Sequence, residues 1–171
     1  GVNLNFAPVL DLDYGQGTVI SDQERAFSND PDKVIEHAKI FIDAHREKNI
    51  ITCGKHFPGL GSASGDTHEG LTNITKSWTV KDMIPFDKLI QSKNLDSIMV
   101  SHAFDKKLDP NYPASLSKKI IQGILKEDLG FQGVVICDDP SMRAISDHYS
   151  MEKTFELMLN AGVDLFCLGN N

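Results

Sequence analysis

No run of residues in this sequence is apolar for long enough to cross a bilayer as a helix. Basic clusters are missing as well. The formal net charge is −7, which argues against nucleic acid and anionic membrane surfaces as partners. Cysteine is scarce: Cys53, Cys137 and Cys167 are the only three, each inside an apolar run. An odd count with no framework spacing speaks against a disulfide scaffold, so free, buried thiols are expected. None lies in a CxxC or beside a histidine, and no structural zinc site is expected. No G-x-G-x-x-G opens a helix and no G-x-x-x-x-G-K-[ST] occurs, which leaves the Gly59-Leu60-Gly61 turn too weak a signal for a nucleotide. An initiator Met is absent too. Gly1 opens directly into a strand-like run and Asn171 follows another, so both ends are expected to be cuts in a longer protein.

What is present alternates. Leu4 to Leu10 is a first strand-like run, ending in Asp11-Leu12-Asp13. After a polar loop, Asp30-Pro31 starts a helix with Asp as N-cap and Pro at the first helical position. Val34, Ile35, Ala38, Phe41, Ile42 and His45 keep helical spacing along it, and His37 and His45 read as ordinary helix-face residues. The second run, Ile50 to Gly54, delivers Lys55-His56. A helix is predicted from about Val80 to Ser92, with Pro85 early in it. The third run, Asp96 to Val100, ends in Ser101-His102. Ser115 or Ser117 is expected to cap the next helix (Ile120, Ile121, Ile124, Leu125), which stops at Gly130. The fourth run, Gly133 to Cys137, ends in Asp138-Asp139; a helix around Met151 to Asn160 precedes the fifth, Val163 to Leu168. His148 reads as surface.

Strands that are apolar on both faces and alternate with helices imply a parallel sheet covered by helices. These strands finish again and again in polar residues: Asp11 and Asp13, Lys55 and His56, His102, Asp138 and Asp139, Asn170. A closed barrel gathers all its strand ends into one ring, whereas an open doubly wound sheet uses mainly those at its switch point. The expected fold is therefore a (β/α)8 TIM barrel. Only about five βα units are visible, so it is a partial barrel forming one domain over residues 1–171.

The chemistry centres on Lys55 to His68. The Lys-His pair is followed by a loop rich in glycine and serine, which has the composition of a mobile flap. Asp66 and His68 near its tip are close enough for the carboxylate to orient the imidazole, as a general acid/base histidine requires. An ionised aspartate at a strand end could act as nucleophile, and a two-step glycosidic displacement needs one such carboxylate plus a separate acid/base. The plainer readings are a solvated turn at Asp66-Thr67-His68, and an Asp138-Asp139 pair that caps the Ser141-Met142 turn.

Lys55-His56-Phe57-Pro58-Gly59 with its downstream Asp-Thr-His resembles the signature of glycoside hydrolase family 3, in its bacterial β-N-acetylglucosaminidase branch. Phe6 to Asp11 is similar to that family's third-strand motif, Arg25-Ala26-Phe27 to its sugar-binding Arg segment, and Val134 to Met142 to its nucleophile strand. The resemblance implies Asp138 as the nucleophile of a covalent glycosyl-enzyme and His68, paired with Asp66, as acid/base. It implies Lys55, His56 and Arg25 as sugar-binding residues, with Asp11 and His102 in supporting positions. It implies no cofactor or metal, a carbohydrate as the partner, and no nucleic acid or membrane. Leu60 stands where the branch commonly has His, and Pro140 where it has Leu. The family's first two strands and its last are missing, along with an upstream sugar-binding aspartate. Such a piece would expose sheet edges, so either self-association or an origin as a proteolytic remnant is expected.

The implied activity is exo-acting removal of terminal β-linked N-acetylglucosamine from peptidoglycan fragments or chitin-type oligosaccharides, with retention. It should fall on the alkaline side as an imidazole titrates. The alternatives are a β-glucosidase or β-xylosidase of the same family and a non-catalytic sugar-binding remnant. Free cysteines and the family's recycling role point to the cytoplasm.

Overall fold

The computed structural model describes residues 1–66 and 70–169. Five parallel strands, β1 (Leu4–Asn5), β2 (Ile51–Phe57), β3 (Ser97–Val100), β4 (Val134–Cys137) and β5 (Leu165–Phe166), pair in sequence order. An order that never reverses is that of a barrel wall, not of a doubly wound sheet, and the strands form a half-barrel. The first run pairs over a shorter span than its apolar length suggests, since Pro8 has no N–H for the ladder. The chain stays bonded to β2, the Ala7 and Pro8 carbonyls accepting from Cys53 and Lys55 N–H, and Leu10 N–H donates to the Lys55 carbonyl at 2.7 Å. At the other edge the Asp164 carboxylate accepts from Val135 N–H at 2.8 Å and stands in for a ladder bond, so β5 starts only at Leu165.

Helix α1 (Val19–Asp22) is a single turn. Helix α2 (Pro31–Arg46) begins as its sequence predicts, the Asp30 side chain accepting from Asp32 N–H at 3.0 Å, and it buries Val34, Ala38 and Ile42. The predicted Val80–Ser92 helix is instead a 3₁₀ turn, Val80–Met83, followed by α3 (Ile84–Gln91). Pro85 explains the break: a continuous α-helix from Val80 would need its missing N–H to reach the Lys81 carbonyl. Thr79 and Asp82 close a capping box on the 3₁₀ turn.

The next segment, Lys119–Asp128, keeps Ile120, Ile121 and Leu125 buried but winds as a π-type helix, with Leu129 N–H reaching the Ile124 carbonyl at 2.9 Å. Ser117 is its capping serine, accepting from Ile120 N–H at 3.1 Å. Helix α4 (Arg143–Ser146) is one turn, and α5 (Met151–Ala161) ends at Gly162, whose φ of 102° suits glycine. The main core lies between helices and sheet, around Leu10, Phe57, Phe86, Ile98 and Val135. A smaller cluster of Cys53, Met99 and Ile136, with Leu4 and Cys167 against it, fills the inward face. All three thiols are free. Burial pushes Cys53 up to about 11 and Cys137 up to about 12.

Candidate active site

The strand ends do converge. Arg25 from the loop before α2, Lys55 and His56 from β2, Asp66 from the loop after it, and Asp138 just past β4 line one cleft of about 240 Å³. Phe6, Leu60, Met99 and Cys167 supply its apolar wall. Those four carried no sequence signal of chemistry, although Cys167 obeys the same strand-end rule as Asp138 and could have been read that way. A larger cavity of about 550 Å³ lies at the opposite end of the sheet, between Leu95, Phe131 and Gly133 near the starts of β3 and β4. It gathers none of the strand-end groups.

Asp11 is fully buried and does not line the cleft. Its carboxylate instead accepts from His56 Nδ1–H at 2.7 Å and from the backbone N–H of Leu60 at 2.6 Å. The far nitrogen, His56 Nε2, lies 3.2 Å from an Arg25 guanidinium nitrogen. A carboxylate can only accept and a guanidinium can only donate, so the imidazole is the neutral Nδ1–H tautomer. Asp11, His56 and Arg25 thus form one hydrogen-bonded line from the buried end of the first run to the cleft. The supporting position given to Asp11 by the motif has this physical content: it fixes a ring, not a ligand.

Lys55 stands beside that line. Burial, and then the neighbouring Arg25 charge, push its ammonium below the ordinary lysine value, while Asp138 works the other way. The Asp138 carboxylate is half-buried and takes 2.9 Å from the backbone N–H of Asp139. The neighbouring pair divides its labour. Asp138 faces the cleft, whereas the Asp139 carboxylate caps the turn by accepting from Ser141 N–H and from Gly169 N–H, each at 2.8 Å. Partial burial opposes ionisation of Asp139, but those hydrogen bonds hold it below the usual carboxylate range. His102 is fully buried and away from the cleft, bridging the Ser115 hydroxyl at 2.7 Å and the Asp139 carbonyl at 2.8 Å. His68 lies outside the described residues. Among the described residues no three His, Cys, Asp or Glu side chains are grouped to hold a metal ion, and no helix is long and apolar enough to cross a membrane.

A carboxylate, two cations and a neutral imidazole around a small concave site suit a polyhydroxyl ligand. The comparisons agree in kind. The model of the glycosyl hydrolase family 3 N-terminal domain matches residues 1–171. This chain belongs to that family. A curated relative named beta-hexosaminidase, from Tolumonas auensis, is 38% identical over 99% of this chain and 51% of its own length. The solved β-N-acetylglucosaminidase of Thermotoga maritima superposes with a TM-score of 0.85 at 36% identity, over 99% of the family 3 chain and 36% of that structure. NagZ from Neisseria gonorrhoeae, solved in complex with N-trifluoroacetyl-D-glucosamine, gives a TM-score of 0.84 at 29% identity over 98% of this chain and 48% of that one. The chain spans about half the length of the curated relatives it matches.

Proposed function

We propose that this chain carries the sugar-cleaving half of a retaining exo-β-N-acetylglucosaminidase. The observation that carries the reading is the meeting of Asp138, Lys55, His56, Arg25 and Asp66 in one cleft at the carboxyl ends of a family 3 half-barrel. In this reading Arg25, Lys55 and His56 hold hydroxyls of the terminal sugar, and the Asp138 carboxylate attacks the anomeric carbon as the aglycone leaves. A covalent glycosyl-enzyme forms, and water displaces it from the opposite face, restoring the configuration. His68, oriented by Asp66, gives the aglycone its proton and later takes one from water. Relatives named for hexosaminidase and N-acetylglucosaminidase activity favour the acetamido sugar over plain glucose, and peptidoglycan fragments or chitin-type oligosaccharides are the substrate class. The free thiols fit a reducing, cytoplasmic setting. The open strands of the half-barrel are completed in the longer protein or, in this piece alone, by self-association.

The test is hydrolysis of an aryl N-acetyl-β-glucosaminide beside the matching aryl β-glucoside. Preference for the acetamido sugar supports the reading. Turnover of the glucoside alone would overturn it in favour of a β-glucosidase.

A further inference from the structure

His102 does not touch the cleft, yet it is fully buried and both of its ring nitrogens are engaged. Its Nε2 faces the Asp139 carbonyl at 2.8 Å. A carbonyl only accepts, so this nitrogen carries a proton, while Nδ1 hydrogen-bonds the Ser115 hydroxyl at 2.7 Å. Ser115 is itself anchored, its N–H donating to the Ser101 carbonyl at 3.0 Å. The Asp139 carbonyl also accepts from Met142 N–H at 3.0 Å, which fills both of its lone pairs. On the other side of the same residue, Asp139 N–H donates to Asp138 Oδ1 at 2.9 Å. One residue is therefore held at its carbonyl by His102, at its carboxylate by Ser141 and Gly169, and aims its N–H at the cleft carboxylate.

We propose that His102, held between the Ser115 hydroxyl and the Asp139 carbonyl, is a positioning residue for the nucleophile. It locks the Asp139 backbone so that the N–H of that residue holds one oxygen of Asp138 and leaves the other free to attack. The effect is geometric: displacing a reacting group by about 1 Å costs on the order of 10²-fold in rate. The turnover part of the proposal rests on the glycosidase reading above; the hydrogen-bond part does not.

The experiment compares His102→Leu, which removes the donor, with His102→Gln, whose amide N–H can occupy the Nε2 position, and with Ser115→Ala. Two quantities are read on the whole chain: the exchange rate of the Asp139 amide proton by NMR, and kcat and KM on the aryl N-acetyl-β-glucosaminide. Expected are faster Asp139 exchange and a kcat reduced about 10²-fold with KM little changed in His102→Leu. His102→Gln should recover most of both, and Ser115→Ala should fall between. The proposal is overturned if the leucine variant matches wild type, or if the glutamine variant is as damaged as the leucine one. Should the leucine variant not fold, unchanged Asp139 exchange in Ser115→Ala overturns it equally. If wild type turns over neither sugar, this piece alone does not form a working site, and amide exchange by itself decides the role of His102.

Discussion

Two histidines at adjacent strand ends show how partners, not residue type, set what a side chain does. His56 keeps its proton on Nδ1 because Asp11 accepts there and Arg25 must donate on the far side. His102 keeps it on Nε2 because a carbonyl waits there. The same logic picks out Asp82, which sequence reasoning passed over although Thr79-x-x-Asp82 has capping-box spacing. Asp82 is fully buried, its Oδ2 accepts from Thr79 N–H at 2.9 Å and Tyr14 O–H at 3.1 Å, and its Oδ1 has no partner among the described residues. Burial raises its pKa against the pull of those hydrogen bonds. A carboxyl that binds its proton more tightly when folded stabilises the fold most at low pH. That contribution fades as pH climbs from the ordinary value of about 4 towards the raised one. Urea unfolding of wild type and Asp82→Asn across that range should show the wild type losing ground as pH rises. A constant difference between the two would contradict the assignment.

At the scale of elements, the loop after β2 is positioned by close backbone contact. A Cβ on Gly61 would clash with the Leu12 carbonyl oxygen, and one on Gly59, at φ +116°, would meet the Asp82 Cβ at 2.6 Å. Backbone cannot step aside as a flexible side chain does, so Gly61→Ala should destabilise the protein by about 1–3 kcal/mol in urea titration. A stability equal to wild type would show that the loop packs otherwise. The glycines of this loop were legible as permissive backbone, but which of them touches another segment was not. Contact between residues 49 apart, such as Leu60 N–H with Asp11, depends on register and packing that no local pattern carries. Helix type was equally hidden. The spacing of Ile120, Ile121 and Leu125 marks a buried face under either α or π winding, and Pro85 reshaped a helix start that the apolar pattern alone drew as continuous.

For the whole molecule, alternation of apolar runs and capped helices was enough to predict a parallel half-barrel, and the polar strand ends pointed to Lys55, His56 and Asp138, which line one cleft. The apolar wall of Phe6 and Met99 was invisible because it needs the sheet assembled around it. The edges of that sheet remain open. Leu165 on β5 is 50% exposed and Leu168 beyond it 62%, apolar surface beside a strand that pairs on one side only among the described residues, of the kind that recruits another chain. Light scattering of this chain should therefore give a mass above that of one copy, and a compact, monodisperse monomer would contradict it.

The central claim is that Asp138 is the nucleophile of a covalent sugar intermediate. Intact-mass and peptide-mapping mass spectrometry after incubation with a fluorinated N-acetylglucosaminyl fluoride, whose glycosyl-enzyme hydrolyses slowly, tests it directly. The account predicts one added sugar residue on the peptide that carries Asp138, lost in Asp138→Asn. Turnover of the aryl substrate with no adduct, or an adduct on another residue, would contradict it.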